Sequence, residues 1–246
     1  MASIDKLKIK LFCDGADFDT IMEMSADPRI KGFTTNPTLM RKAGVLDYEA
    51  FAHKLLRAIP DRPVSFEVFA DDLEGMETQA LAIASWGRNV NVKIPVTNQA
   101  GQPMGELIRR LSGAGVSLNV TAILTLEQVE QVARALHPSV PAIVSVFAGR
   151  IADTGIDPIP VMKEARRILH NRPKAELLWA SPRELLNIFQ ADEAGCHIIT
   201  VPPEIFSKLS LVGKDLTAYS LETVHMFHRD ARASAFRIEA AALTPL

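Results

Sequence analysis

Four polar residues recur at intervals of 26 along the chain, and one of them is a lysine inside an apolar run. They are Glu67, Lys93, Asn119 and Ser145. Lys93 lies within Val90–Pro95, whose valines and isoleucine are typical of a buried strand. Burial disfavours a charged ammonium group, and a neutral amine can attack a carbonyl carbon to form a Schiff base. The alternative is a lysine that pairs with a buried carboxylate and serves only the fold.

Further polar residues fall at or beside the ends of predicted strands. They are Asp14, Asn36, Thr121 and Ser181. The carboxylates of Asp14 and Glu67 can transfer protons. The amides and hydroxyls that can hydrogen-bond a polyhydroxylated substrate are those of Asn36, Asn119, Thr121 and Ser145. Hydrogen-bonded core groups without a catalytic role are the alternative, but each one left unpaired would cost about 1–3 kcal/mol.

Two arginines follow the sixth and seventh predicted strands. Arg150 comes directly after Phe147-Ala148-Gly149, and Arg183 follows Ser181-Pro182 at a predicted helix start. Guanidinium groups beside helix N-terminal amides are typical of phosphate sites. Either arginine alone could be an ordinary surface residue. Because both follow late strands, where barrels often bind phosphate, their joint position favours a phosphate site.

The elements that must position these residues alternate between short apolar runs and amphipathic stretches. The eight predicted strands are Ile9–Asp14, Gly32–Asn36, Pro63–Phe69, Val90–Pro95, Val116–Thr121, Ala142–Phe147, Glu176–Ser181 and His197–Val201. Predicted helices between them include Leu73–Trp86, Leu126–Leu136 and Pro158–Leu169. This alternation predicts an α/β fold, a (β/α)8 TIM barrel that forms one domain over residues 1–246. An open doubly wound sheet is the rival, although no Gly-x-Gly-x-x-Gly turn opens a helix.

An additional C-terminal helix is predicted over Lys214–Ile238, beyond the eight strand-helix units. Its apolar positions recur with helical spacing. A helix that the barrel does not need either caps the barrel or reaches a neighbouring subunit. We therefore expect a homo-oligomer.

Composition narrows the class of protein. The 246 residues are 48% hydrophobic and 23% charged, with a net charge of −2, so neither nucleic acid nor a membrane is an expected partner. The N-terminus shows no signal-peptide pattern. The two cysteines, Cys13 and Cys196, lie in apolar runs, which is typical of a reduced cytoplasmic protein. No His, Cys, Asp or Glu grouping has metal-ligand spacing, so neither a metal nor another cofactor is expected.

Several segments together resemble the transaldolase family. They are Phe12-Cys13-Asp14, Thr34-Thr35-Asn36-Pro37-Thr38, Ser65-Phe66-Glu67-Val68, Val92-Lys93-Ile94-Pro95-Val96-Thr97, Leu118-Asn119-Val120-Thr121, Ser145-Val146-Phe147-Ala148-Gly149-Arg150-Ile151 and Ala180-Ser181-Pro182-Arg183. They occur in family order across nearly the whole predicted barrel. The Thr-Thr-Asn-Pro motif and the lysine strand are specific, and the two arginine segments are weaker.

The resemblance implies a class I aldol mechanism on sugar-phosphate substrates. Lys93 would form a Schiff base with a ketose phosphate, and Asp14 would take the proton of the C4 hydroxyl as the C3–C4 bond breaks. Glu67 and Thr121 would hold the water that serves proton transfer. The dihydroxyacetone hydroxyls would be bound by Asn36, Asn119 and Ser145. The phosphate would be bound by Arg150, Ser181 and Arg183.

Two activities fit this resemblance, and a third possibility comes from another class. A transaldolase moves a dihydroxyacetone unit from fructose 6-phosphate or sedoheptulose 7-phosphate to an aldose phosphate; an aldolase-type lyase releases free dihydroxyacetone. The chain length and Pro95-Val96-Thr97 resemble both short branches, whereas Glu67 and Phe147 match transaldolases. Pro182 departs from the aromatic residue that is common there. An inactive sugar-phosphate-binding barrel is the third possibility, and the three intact residues Asp14, Glu67 and Lys93 argue against it.

Overall fold

Eight parallel strands close into a barrel in a computed structural model of the protein, which describes residues 4–237. The strands are β1 (Lys10–Asp14), β2 (Ile30–Thr34), β3 (Val64–Glu67), β4 (Val90–Pro95), β5 (Leu118–Ile123), β6 (Ala142–Val146), β7 (Ala175–Trp179) and β8 (Ile198–Val201). Each strand pairs with its neighbours in sequence, and β8 pairs with β1. The predicted (β/α)8 barrel is therefore confirmed, and the open doubly wound sheet is excluded.

Helices follow the strands around the barrel. They are α1 (Phe18–Ser25), α2 (Pro37–Lys42), α3 (Tyr48–Ala58), α4 (Leu73–Ser85), α5 (Gly105–Gly113), α6 (Leu126–Ala135), α7 (Ala148–Asp153), α8 (Pro158–Ile168), α9 (Leu186–Glu193), α10 (Pro203–Phe206) and α11 (Leu216–Ala233). The three helices predicted from amphipathic periodicity, α4, α6 and α8, begin at the predicted residue and end one residue early. Side-chain caps define many of the starts, as where Asp72 accepts a hydrogen bond from the backbone N–H of Gly75 at 2.8 Å.

Several predicted strand ends were wrong for local reasons. Asn36 does not end β2 but caps α2, because its side chain accepts a hydrogen bond from the backbone N–H of Leu39 at 3.0 Å. Ser181 lies two residues beyond β7 and has a left-handed φ of 61°. The strand β5 continues past Thr121 through Ala122, whose φ of 62° accompanies a shift of register against β6.

The barrel interior divides into an apolar floor and a polar upper layer. Phe12, Ile143, Leu178, Ala180 and Ile198 pack together inside the barrel, with Phe147 against them. Gly32 leaves the space for this floor, since a Cβ atom there would lie 2.5 Å from the Phe12 ring. The larger apolar core lies between the strands and the outer helices. The floor supports the polar side chains toward the carboxyl ends of the strands.

The C-terminal helix α11 differs from the other helices because it buries none of its residues against the barrel. The predicted helical segment began at Lys214, and the observed helix begins at Leu216, with Asp215 as its cap. It ends at Ala233, and Ile238, the predicted end, lies outside the described residues. None of its residues is buried. Within residues 4–237, no helix combines the length and apolar character that crossing a bilayer requires.

Candidate active site

A cavity of about 500 Å³ opens at the carboxyl ends of the strands. The predicted site residues that line it are Asp14, Asn36, Glu67, Lys93, Asn119, Thr121, Ser145, Phe147, Arg150 and Ser181. Arg183 is not among the lining residues. In barrels of this kind the reacting groups lie at this end of the strands. The cavity therefore collects side chains from strands that are far apart in sequence.

Lys93 is a buried lysine that lines this cavity. Only 7% of the residue is exposed. Its Nζ donates a hydrogen bond to the backbone carbonyl of Thr35 at 2.8 Å and lies 3.1 Å from Glu67 Oε2. Direct pairing of β3 with β4 places Glu67 opposite Lys93. The lysine thus has both a fixed position and a carboxylate that can accept its proton.

Asp14 ends β1 and belongs to a short chain of hydroxyl groups. Its Oδ1 accepts a hydrogen bond from Thr34 Oγ1 at 2.7 Å, and the Thr34 and Thr200 hydroxyl oxygens are 2.5 Å apart. Because the Thr34 hydroxyl donates its only hydrogen to Asp14, the Thr200 hydroxyl must donate to Thr34. Burial raises the pKa of the Asp14 carboxyl, against the opposing charge of Lys93 and the Thr34 hydrogen bond. A raised pKa suits a carboxyl that must both take and return a proton.

An amide and two hydroxyls form a buried network across three strands. Asn119 Nδ2 donates to Ser65 Oγ at 3.0 Å, and Ser145 Oγ donates to Asn119 Oδ1 at 2.6 Å. Strand pairing sets Asn119 beside Lys93 as predicted, but its partner in β6 is Ile143 and not Ser145. The network fixes the Asn119 amide while leaving its second N–H for a ligand.

Residues after β6 and β7 meet at one side of the mouth. Gly149 N–H donates to the Ala180 carbonyl at 3.3 Å, and a Cβ atom at Gly149 would lie only 1.5 Å from the Ser181 carbonyl oxygen. Only glycine allows this approach. The Arg150 guanidinium lies 5.5 Å from the Phe147 ring centre, and none of the ion pairs among the described residues includes it. Its charge therefore remains free for an anionic ligand.

Arg183 lies nearby but is paired with a carboxylate. Its Nε donates to Asp153 Oδ1 at 3.0 Å, and its Nη2 donates to Asp153 Oδ2. The residue does not start a helix as predicted, because α9 begins at Leu186; instead its backbone N–H donates to Asn187 Oδ1 at 2.7 Å. The structure thus brings Arg150 to the cavity and holds Arg183 against Asp153.

Sequence reasoning missed the groups that support the predicted residues. Thr34 donates to Asp14, Ser65 accepts from Asn119, and Thr200 donates to Thr34. None of the three was among the predicted site residues. Their residue types could have identified them in the sequence, because a buried hydroxyl in an otherwise apolar strand needs a hydrogen-bond partner. Within residues 4–237, no three His, Cys, Asp or Glu side chains come together as a metal ion would require.

Known proteins resemble this chain in sequence along most of its length. Residues 11–244 match the family model described as Transaldolase/Fructose-6-phosphate aldolase. A protein of Listeria monocytogenes serovar 1/2a named "Probable transaldolase 2" is 35% identical over 202 residues, which are 82% of this chain and 88% of the relative. A "Probable transaldolase" of a Thermoanaerobacter species is 34% identical over 231 residues, 94% of this chain and 100% of the relative.

Among solved structures the likeness is one of fold. A chain of a cube-shaped, highly porous protein cage, designed by fusing symmetric oligomeric domains, aligns with a TM-score of 0.55 and 14% identity. The alignment covers 94% of this chain and 78% of that chain. At 14% identity this match supports the barrel fold and says nothing about function.

Proposed function

Because the chain belongs to the transaldolase and fructose-6-phosphate aldolase family, we propose that it transfers a dihydroxyacetone unit between sugar phosphates through a Schiff base on Lys93. The donor would be fructose 6-phosphate or sedoheptulose 7-phosphate, and the acceptor an aldose phosphate. The observation that carries the proposal is the buried Lys93 amine, 3.1 Å from Glu67 inside the cavity. A lysine that only stabilised the fold would have no need to line a cavity of this size.

Schiff-base formation begins at the C2 carbonyl of the ketose. Glu67 accepts a proton from the Lys93 ammonium, and the neutral amine adds to C2 to give a carbinolamine. Loss of the C2 hydroxyl as water then leaves an iminium ion. As the family resemblance implies, Glu67 and Thr121 hold the water through which these protons move. Both side chains line the cavity beside Lys93.

Cleavage then requires a base at the C4 hydroxyl, and Asp14 takes this role. As Asp14 accepts the hydroxyl proton, the C3–C4 bond breaks, the aldose phosphate leaves, and the bonding electrons form an enamine with the iminium carbon. The enamine attacks the acceptor aldehyde, and Asp14 returns its proton to the new hydroxyl. The raised pKa makes Asp14 a stronger base than an ordinary carboxylate and still lets it return the proton.

The remaining polar groups bind the two ends of the substrate. Asn36, Asn119 and Ser145 hydrogen-bond the dihydroxyacetone hydroxyls, and the buried network orients two of them. Arg150 binds the phosphate together with Ser181, while Arg183 must exchange Asp153 for the phosphate before it can contribute. Phe147 adds an apolar wall that has no hydroxyl to protonate the enamine. The enamine therefore persists until an aldehyde arrives.

Product analysis from fructose 6-phosphate tests this function. With erythrose 4-phosphate present we expect sedoheptulose 7-phosphate, and without it little dihydroxyacetone. Rapid release of dihydroxyacetone without an acceptor would assign the lyase activity instead. The variant Phe147→Tyr should shift the products toward release, because its phenol can protonate the enamine.

The barrel and its C-terminal helix further support a proposal about the whole molecule. We propose one domain that assembles into a homo-oligomer, with α11 packed on a second copy of the chain. In α11, Leu221 and Val224 are each 57% exposed and Phe227 is 63% exposed. Water contact with so many apolar side chains is costly unless a partner covers them. Light scattering should give a mass above 27.0 kDa, and Phe227→Glu should lower it; a monomer would refute the proposal.

The cysteines support the proposal of a reducing, cytoplasmic location. Cys13 and Cys196 are both buried free thiols. Burial raises the pKa of each thiol to about 12, so neither forms a reactive thiolate near neutral pH.

A further inference from the structure

The hydroxyl of Tyr48, the first residue of α3, binds both backbone groups of Glu67. It donates a hydrogen bond to the Glu67 carbonyl oxygen at 3.1 Å and accepts one from the Glu67 N–H at 2.7 Å. A single side-chain hydroxyl thus hydrogen-bonds both the N–H and the C=O group of one strand residue. Tyr48 itself does not line the cavity that contains Lys93.

The barrel is incomplete where this contact occurs. The pairing of β2 with β3 consists of Phe33 with Val64 and Thr34 with Ser65. Thr35 still reaches the Ser65 carbonyl, with its N–H at 3.3 Å and its hydroxyl at 2.8 Å. Beyond that point the chain turns away into α2. No residue of β2 is therefore opposite the end of β3.

Glu67 lies on this unpaired edge. Backbone groups of alternate strand residues point to the same neighbour, so Glu67 points to the β2 side as Ser65 does. On the other side β4 is bonded through Val68, whose N–H donates to the Lys93 carbonyl at 3.1 Å. Without Tyr48, the N–H and C=O of Glu67 would have no hydrogen-bond partner among the described residues. The phenol takes the place of the missing strand.

The ring that carries this hydroxyl is held by other aromatic side chains. Its centre lies 4.6 Å from that of Phe69, 5.6 Å from that of Trp86 and 6.1 Å from that of Phe66. Burial raises the pKa of the Tyr48 phenol, so the group stays neutral and can donate and accept at once. The hydroxyl is therefore fixed from outside the barrel.

We propose that Tyr48 is a positioning residue that sets the distance between the Glu67 carboxylate and the Lys93 amine. The inference rests on the proposed role of Glu67 in Schiff-base chemistry. Glu67 is the last residue of β3, and its side chain lies 3.1 Å from Lys93 Nζ only while its backbone is held. Releasing the backbone lets the carboxylate move relative to the amine.

Tyr48→Phe removes the hydroxyl and keeps the ring. Because misplacement of a reacting group by about 1 Å can cost about 100-fold in rate, we expect kcat to fall by about 10- to 100-fold. The KM for fructose 6-phosphate should change less than about twofold, since Tyr48 does not touch the cavity. Single-turnover borohydride trapping should show slower Schiff-base formation.

Two comparisons separate positioning from a general structural role. In a Glu67→Gln background, Tyr48→Phe should cost less than about threefold, because its effect passes through the carboxylate. Trp86→Phe disturbs the same aromatic group but keeps the hydroxyl, so it should lower stability without lowering kcat. Additive losses with Glu67→Gln, or equal kcat losses for Trp86→Phe and Tyr48→Phe, would overturn the proposal.

Amide hydrogen exchange tests, independently of activity, whether Tyr48 holds the Glu67 backbone. The Glu67 N–H should exchange at least about tenfold faster in Tyr48→Phe than in Trp86→Phe at matched stability. If wild-type protein forms no Schiff base, the proposed function fails, and this exchange difference still shows whether Tyr48 holds Glu67. Equal exchange in the two variants would refute the positioning role even in an active enzyme.

Discussion

The two arginines at the cavity mouth should contribute unequally to phosphate binding. Arg150 lines the cavity without an ion-pair partner among the described residues, whereas Arg183 is bonded through two nitrogens to Asp153. A charge-assisted hydrogen bond contributes about 1.5–3 kcal/mol. Since 1.4 kcal/mol is a factor of ten, Arg150→Ala should lower kcat/KM for fructose 6-phosphate by about 10- to 150-fold.

The expected loss for Arg183 is smaller because binding must first break an existing pair. The Arg183 and Asp153 side chains are 48% and 52% exposed, and exposed pairs contribute about 0–1 kcal/mol. Subtracting this leaves about 0.5–3 kcal/mol, so Arg183→Ala should cost about 2- to 150-fold and less than Arg150→Ala. Asp153→Asn frees Arg183 and should lower KM by up to about fivefold.

Steady-state kinetics with a phosphorylated and an unphosphorylated ketose measure these effects. Fructose serves as the control substrate, because it lacks the phosphate that the arginines are proposed to bind. Arg150→Ala and Arg183→Ala should each lower kcat/KM far more for fructose 6-phosphate than for fructose. A larger loss for Arg183→Ala than for Arg150→Ala would refute the reasoning, as would equal losses on the two substrates.

Three further predictions concern Asp14 and Gly149. Asp14→Asn should cut C3–C4 cleavage by about 100-fold or more while Schiff-base trapping persists. Because burial raises the pKa of Asp14, native protein binds a proton that unfolded protein releases, so stability falls as pH rises from the ordinary carboxyl pKa to the raised one. Asp14→Asn should therefore raise the melting temperature at pH 7, with the gain absent at low pH; an equal gain at both would contradict it. Gly149→Ala forces the Ser181 carbonyl to move and should destabilise the fold by about 1–3 kcal/mol in chemical denaturation while raising KM. Gly113→Ala, in helix α5 with open space around it, should not destabilise the fold.

Much of the barrel could be predicted because its pattern is local and periodic. Alternating apolar runs and amphipathic stretches identified all eight strands, and β4 was predicted to the residue. The equal spacing of Glu67, Lys93 and Asn119 also predicted their adjacency correctly. Ser145 departs from that alignment because closing a barrel requires staggered strands, so equal spacing in sequence does not ensure equal height.

The rest depended on interactions that no local pattern contains. Asn36 caps a helix and Ser181 adopts a left-handed backbone conformation. The strands β2 and β7 therefore each end two residues before their predicted ends. The direction of the Arg183 side chain is set by Asp153, 30 residues away. The role of Tyr48 could not be predicted for the same reason. Its hydroxyl bonds the backbone of Glu67 where β2 no longer pairs with β3, and no local sequence pattern shows that gap.

Borohydride trapping tests the central claim, that Lys93 is the nucleophile, most directly. Reduction in the presence of fructose 6-phosphate should add mass to the peptide that contains Lys93. Lys93→Arg should abolish both the adduct and turnover, because arginine stays protonated. Lys10→Arg, which changes a strand lysine paired with Glu176 on the barrel, should keep both. An adduct on another lysine, or none with any ketose phosphate, would contradict the account.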